Sequence, residues 1–286
     1  MHHSGNRPAE IFGYPIANRS DEAQLVREQH WCPFVNKRCN KSSRMIGYPF
    51  GVCSVEHQGR VNTVCPRRFK ERGAIEGIPR VLEDIALHYF GSFINVLSFS
   101  EVKLPNVGNI DYVLVRHKPM KAEVEDFVAV EFQADSTTST GRLVEGFLDF
   151  MAGQDVQGKA YPFGMNTYDT IKRSITQLLN KGIVYEAWGT KGYWVIQEYI
   201  YTNLVHRYSL KEEGYLPEHA CRFAMYNLVQ KDNLLSLAPT RFVSTTVDEI
   251  YQSMRGNPRL PDKDGFVKVL NAKLMARLIL KFDQGV

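Results

Sequence analysis

Apolar residues recur along this chain at two spacings, and the change from one to the other predicts its elements. Between Ile78 and Phe90 (IPRVLEDIALHYF), Ile78, Leu82, Ile85, Ala86 and Tyr89 fall on one helical face, with Pro79 suited to a first turn. Three β-rich runs follow: Phe93–Val102, Ile110–Val115 (IDYVLV) and Phe127–Gln133 (FVAVEFQ). The third is nearly continuous apolar, as in a strand covered on both faces. The polar stretch Arg116–Asp126, with Pro119 inside it, reads as the connection between neighbouring strands. Helical spacing returns at Arg142–Met151 and Tyr168–Lys181; in the latter Ile171, Ile175, Leu178 and Leu179 line one face and Gly182 is a natural stop. Tyr193–His206, aromatic and β-branched, reads as one or two further strands, and Phe266–Leu280 as a last helix. Strands interleaved with helices predict an α/β domain built on a mixed sheet.

The pattern breaks down between Asn36 and Thr63. There the apolar runs are short and interrupted by Asn40, Ser42, Ser43, Gly47, Pro49, Gly51 and Gly59. Such a stretch has too little apolar mass for a core of its own, so a bound metal would have to organise it. The chain therefore divides into residues 1–77, holding this subdomain, and residues 78–286, holding the α/β core and a C-terminal elaboration.

Composition narrows the class. At 286 residues, 44% hydrophobic and 12% aromatic, the chain is globular rather than disordered or fibrous. No apolar signal-like run opens it and no long apolar stretch occurs, which points to a cytoplasmic protein without a membrane span. The net charge is only +4, but it is unevenly placed. From Lys37 to Arg80 there are ten basic residues against three acidic ones, a local balance of +7 that leaves −3 for the rest. A basic segment on an otherwise slightly acidic protein suits a polyanion surface, although a solvated basic face explains charge alone equally well. Within it, Arg67, Arg68 and Lys70 are candidate phosphate contacts, joined by Arg142 and Arg173 at the starts of later helices.

Four of the five cysteines, Cys32, Cys39, Cys53 and Cys65, lie in the same region, separated by six, thirteen and eleven residues. Disulfides are disfavoured without an oxidising compartment, and four unrelated thiols would not cluster so. Four soft thiolates with no open position suit a structural metal, zinc or iron. His30 and His57 are the alternative ligands. Cys221 stands apart and reads as a small buried hydrophobe.

The chemistry lies in two adjacent strands. Asp111 sits inside an apolar strand and Glu131 near the end of another, and burying two carboxylates among Val, Leu and Phe is costly unless a charge compensates them. Glu131 and Gln133, two apart, project from one face. If the strands pair, Asp111 joins them, and two carboxylates with a strand carbonyl make a hard oxygen site for magnesium. Such an ion could polarise a phosphodiester and activate water. Asp, about twenty residues, then Glu-x-polar is the pattern of the PD-(D/E)xK nuclease core. Here Gln133 stands in place of the usual Lys; its amide can orient a water but supplies no charge. Glu101-x-Lys103 matches the motif more literally, but its Asp84 falls in a helix. Glu101 is then a further candidate for the metal shell, and Glu83 a rival for that role.

A cysteine quartet upstream of a strand Asp and a Glu-x-Gln resembles the NotI-type restriction endonucleases. The resemblance is carried by Cys32–Cys65, SFSEVKLPNVGNIDYVLV (Ser98–Val115), VEFQA (Val130–Ala134) and KRSITQLLNKG (Lys172–Gly182). It implies a homodimeric type II enzyme that uses magnesium to cut a GC-rich palindrome in double-stranded DNA. It also implies Asp111 and Glu131 as magnesium ligands, Gln133 as the water-orienting residue, and Cys32, Cys39, Cys53 and Cys65 around a structural iron. A non-catalytic DNA-binding protein organised by the cysteines, and a structure-specific repair nuclease of the same superfamily, are the competing readings.

Overall fold

The runs of Val, Ile, Leu and aromatic residues become strands because both faces of the sheet they form are covered by helices. The computed structural model describes residues 5–211 and 214–282. It begins with β1 (Arg7–Ile11), β2 (Tyr14–Pro15), α1 (Asp21–Glu28), the ribbon β3 (Trp31–Cys32) and β4 (Lys37–Arg38), and the hairpin β5 (Val52–His57) and β6 (Arg60–Thr63). A 3-10 turn at Pro66–Lys70 leads to α2 (Arg80–Phe90), β7 (Val96–Leu104), β8 (Gly108–His117) and β9 (Val124–Gln133). Then come β10 (Thr137–Thr138), α3 (Thr140–Met151), β11 (Gly164–Met165), α4 (Thr167–Trp188), β12 (Lys191–Gln197) and α5 (Glu198–Tyr208). The hairpin β13 (Cys221–Lys231) and β14 (Leu234–Thr245) and the helices α6 (Val247–Arg255) and α7 (Lys263–Phe282) follow.

The main sheet has the order β14-β13-β12-β9-β8-β7. Its centre is parallel, β12 running with both β9 and β13, while its two flanks are antiparallel hairpins. The parallel centre is covered on both sides, as such strands require. On one face α4 packs Ile171, Ile175 and Leu178 against Ala129, Trp194 and Ile196. On the other, α2 packs Val81, Leu82 and Ile85 against Leu114, Val128 and Val130. Residues of opposite parity on β9 thus serve opposite cores, which leaves Glu131 and Gln133 facing α4.

A second sheet, β2-β1-β5-β6, carries the cysteine-rich region. The apolar mass missing from residues 36–63 is borrowed: Ile11, Phe12, Val52 and Val55 share a core with Leu143, Val144 and Phe147 of α3. Packing, and not a metal alone, therefore holds this region.

Several elements differ from the sequence expectation. Tyr193–His206 is not a pair of strands; β12 ends at Gln197 and α5 begins at once, burying Tyr199, Ile200, Tyr201 and Leu204. Aromatic and β-branched residues favour strands only weakly, and burial against the sheet overrides them. Gly182 does not stop α4, which runs on to a left-handed cap at Gly189 (φ 68°). Gly182 instead allows close packing: a Cβ there would lie 2.7 Å from Cys221 Sγ and 2.8 Å from Val247 Cγ2. The connection Arg116–Asp126 is shorter than expected, since β8 reaches His117 and β9 starts at Val124. Cys221 is fully buried, as its isolation suggested. The last helix falls where its periodicity places it, at Lys263–Phe282, yet Phe266, Leu270 and Leu274 on it are exposed. Among the described residues no helix is long and apolar enough to cross a membrane.

Candidate active site

Strand pairing assembles the acids. Tyr112 of β8 lies opposite Val130 of β9, which brings Asp111 level with Glu131 on the same face. The Asp111 carboxylate accepts a 2.8 Å hydrogen bond from the Phe132 backbone N–H, tying the two strands together at this point. On the far side of Asp111, Ser100 and Val102 of β7 pair with Tyr112 and Ile110, so Glu101 stands level with Asp111 in turn. Glu101 is exposed and has a φ of 54°, the left-handed region that non-glycine residues rarely adopt. Three carboxylates therefore stand in one row across three strands.

The field of this row is under-compensated. Glu131 is 2% exposed, and burial pushes its carboxyl up to about 7, against the pull of Lys181 and with Asp111 and Glu101 adding to the rise. Burial also raises the Asp111 carboxyl, opposed by the Phe132 N–H and by Lys181. Lys181 is a residue that motif and spacing do not single out. It projects from α4, is 5% exposed, and donates to Glu131 Oε1 at 2.5 Å and to the Asn109 carbonyl at 2.6 Å. Its one sequence signal is a lysine on the otherwise apolar face of a helix already carrying Ile171, Ile175 and Leu178.

The next two polar residues on this side, Gln133 at the end of β9 and Asp135 just beyond it, bond to α4 and, in the case of Asp135, to α5 as well. Gln133 donates to the Gln177 side chain and faces Ser174, while Asp135 accepts from Thr167, Thr170 and Tyr199. Gln133 and Asp135 line a cleft of about 750 Å³ whose opposite wall is the segment Lys41–Met45, with Arg173 at its side. Of the Gln133 amide, one N–H remains beyond the Gln177 bond, and the oxygen, which accepts from Ser174 Oγ at 3.5 Å, keeps one further lone pair.

The other candidates separate clearly. Asp84 lies in α2 and its carboxylate accepts from Tyr226, away from Lys103, so Glu101-x-Lys103 has no strand aspartate of its own. Glu83 is buried but binds the backbone N–H groups of Ala74 and Ile75 rather than joining the acid row. Arg68, expected as a phosphate contact, is 1% exposed and held by Glu10, Glu71 and the Leu235 carbonyl. An interior guanidinium so engaged does not reach a duplex. Lys70 stands over the Tyr112 ring, 4.9 Å from its centroid. Arg142 is exposed and paired with Glu145, and Arg173 is exposed beside Asp169 at the cleft. Nη1 of Arg67 is buried and has no hydrogen-bond partner among the described residues.

The four clustered cysteines come from four segments: Cys32 ends β3, Cys39 follows β4, Cys53 lies in β5 and Cys65 precedes the 3-10 turn. All are free thiols. Burial raises Cys32, Cys39 and Cys53, and the neighbouring Cys65 raises each of them further, Cys53 also feeling Glu10. Lys41 and Arg67 pull Cys39 the other way. The fold thus brings the sulfurs within electrostatic reach of one another. Among the described residues, however, no three His, Cys, Asp or Glu side chains stand as a ready metal-ligand group, either at the cysteines or at the acid row.

These features belong to an enzyme that cuts DNA at chosen sites, a site-specific deoxyribonuclease, and the comparison with known families carries that assignment. The model of the family described as restriction endonuclease NotI matches residues 10–212. The chain belongs to the NotI restriction endonuclease family and is a type II restriction endonuclease. The match takes in all four clustered cysteines, Asp111, Glu131 and Lys181, and stops before β13. No curated protein matches the chain.

Proposed function

We propose that this chain is a magnesium-dependent endonuclease with a PD-(D/E)xK-type core, cutting both strands of a GC-rich palindrome as a homodimer. The observation that supports it best is the meeting of Asp111 and Glu131 across β8 and β9, the first half-buried, the second buried, and both short of positive charge. That deficit suits a small hard cation, and carboxylate oxygens are the donors magnesium takes. Held there, magnesium would supply Lewis-acid stabilisation of charge on the scissile phosphate. The chain's own residues do the rest. Asp111 is fixed by the Phe132 N–H, Glu131 by the strand and by α4, and Gln133 directs its remaining hydrogen-bonding capacity toward a water at the cleft. Glu101, level with Asp111 and exposed, is placed to complete the shell.

Arg67, Lys70, Arg142 and Arg173 are the proposed backbone contacts, which position a duplex without reading it. A palindrome has a twofold axis, and two protomers related by the same symmetry present one acid row to each strand. The structural metal, iron or zinc, is proposed at Cys32, Cys39, Cys53 and Cys65. There the nearby Lys41 favours thiolate over thiol at Cys39 and Cys53.

The test is digestion of a plasmid of known sequence with magnesium, followed by sequencing of the ends. Discrete fragments sharing a palindromic end sequence are expected from the native chain, and none from Glu131→Ala. A continuous smear, or cutting confined to nicked or branched DNA, would overturn the site-specific reading.

A further inference from the structure

The sequence Glu131-x-Gln133 leaves the acid row without a lysine on its own strand, and the fold brings one from elsewhere. We propose that Lys181 of α4 is the positioning cation of this centre, supplying from the helix the charge that the strand lacks. This rests on the reading of Asp111 and Glu131 as the acids of the active site.

Matched spacing carries the argument. Residues two apart on a strand are separated by about 6.8 Å and residues four apart on a helix by about 6 Å. β9 and α4 use that match. Gln133 meets Gln177, and two residues back along the strand Glu131 meets Lys181, four residues on along the helix. Amide therefore faces amide and acid faces ammonium. The lysine is not loosely placed, because the Asn109 carbonyl accepts from the same Nζ at 2.6 Å and both side chains of the pair are at most 6% exposed. Burying an ammonium and a carboxylate together costs several kcal/mol per ion before their attraction returns it. In this fold that cost is incurred next to a second carboxylate, where an apolar helix residue would leave Asp111 and Glu131 to repel each other.

The contact is also of the right kind. A lysine is a point charge that here meets Glu131 through Oε1, whereas an arginine fork would engage both oxygens. Lys181 thus orients the Glu131 carboxylate without occupying it wholly. It acts through Glu131, so its role is positioning.

The test compares full-length native protein with Lys181→Gln, Lys181→Met, each of these combined with Gln133→Lys, and Glu131→Ala, in single-turnover cleavage with magnesium. Loss of Lys181 should lower the maximal rate at least tenfold at nearly unchanged DNA affinity. Gln133→Lys, which returns a lysine to the strand, should restore at least threefold of that loss. A lysine that served only stability would shift melting temperature and would not be replaced from the strand. Smaller loss, no restoration, or unfolding of both Lys181 variants with and without Gln133→Lys would each overturn the proposal. If Glu131→Ala cuts like the native chain, the acid centre itself is misassigned and Lys181 falls with it. If Glu131→Ala is inactive while the Lys181 variants cut normally, only the role of Lys181 fails.

Discussion

Two buried glutamates with cationic partners differ in what surrounds them. Glu10 is fully buried, and Nε of Arg68 lies 3.0 Å from both its oxygens while Ser54 donates to it at 2.7 Å. The same guanidinium reaches Glu71 and the Leu235 carbonyl, so its fork is spent on protein groups. Glu131 has a lysine on one oxygen, a second acid level with it and a third, exposed, beyond. Burial raises both carboxyls. The first centre is closed by hydrogen bonds and joins β1, β5 and the 3-10 turn to the β13–β14 hairpin. The second is open and electrically unfinished. A buried, raised carboxyl alone therefore does not set the two centres apart; the row of further acids beside Glu131 does, and it is the basis of the role proposed for it.

The sharpest way to break this contrast is to remove charge from each centre in turn. Asp111→Asn should lower cleavage by about 100- to 1000-fold, the scale of losing a preorganised electrostatic group, with an unchanged melting curve. Equal activity of native and variant proteins in a plasmid assay would remove Asp111 from the mechanism. Arg68→Ala should do the reverse. It leaves Glu10 buried beside Glu71 without its cation, and should cost about 3–5 kcal/mol in urea unfolding, with activity per folded molecule retained. A stable Arg68→Ala protein with weakened DNA binding would instead make Arg68 a contact to the duplex.

Cys53→Ser should have a smaller effect, lowering metal per chain and the melting temperature by several degrees. Because β5 also packs against α3, the region should stay folded, as near-ultraviolet circular dichroism would report. Full metal content at native stability would disprove the four-thiol site. The smallest effect concerns pH. In the metal-free protein Glu131 holds its proton to about 7, whereas the unfolded chain releases it near 4.5. The folded state thus binds more protons in that window, so this group's contribution to stability falls as pH rises through it and levels off above. Glu131→Gln cannot titrate, and the stability difference between it and the native chain should change between about pH 5 and about pH 8. Parallel urea curves at both pH values would show that Glu131 has an ordinary carboxyl.

How much of this is readable in the residues varies by feature. The strands bearing Asp111 and Glu131 are legible because alternation and apolar runs are local properties, and their order implies pairing. The helix bearing Lys181 is legible too, but Gly182 suggests an end where the α4 backbone continues, the glycine serving instead to leave room for Cys221 and Val247. Arg68 looks like any residue of a basic run. Only the packing that brings Glu10 of β1 and the Leu235 carbonyl of β14 to it, beside Glu71, turns it inward. Within Tyr193–His206 the strand holds as far as Gln197, and the part from Glu198 onward misleads because its composition suits a strand and its surroundings require a helix.

Which residue types could do chemistry, and which short segments would carry them, is written in the residues: two acids on neighbouring strands, four thiols in one window, an amide where a lysine is usual. Which charges meet depends on how the elements pack. Lys181 is 50 residues from Glu131, and the crossover from β9 through α4 to β12 closes that gap. Periodicity records how one element faces its core. The pairing of a given ammonium with a given carboxylate depends on where two elements come to rest against each other, and no local pattern carries that information.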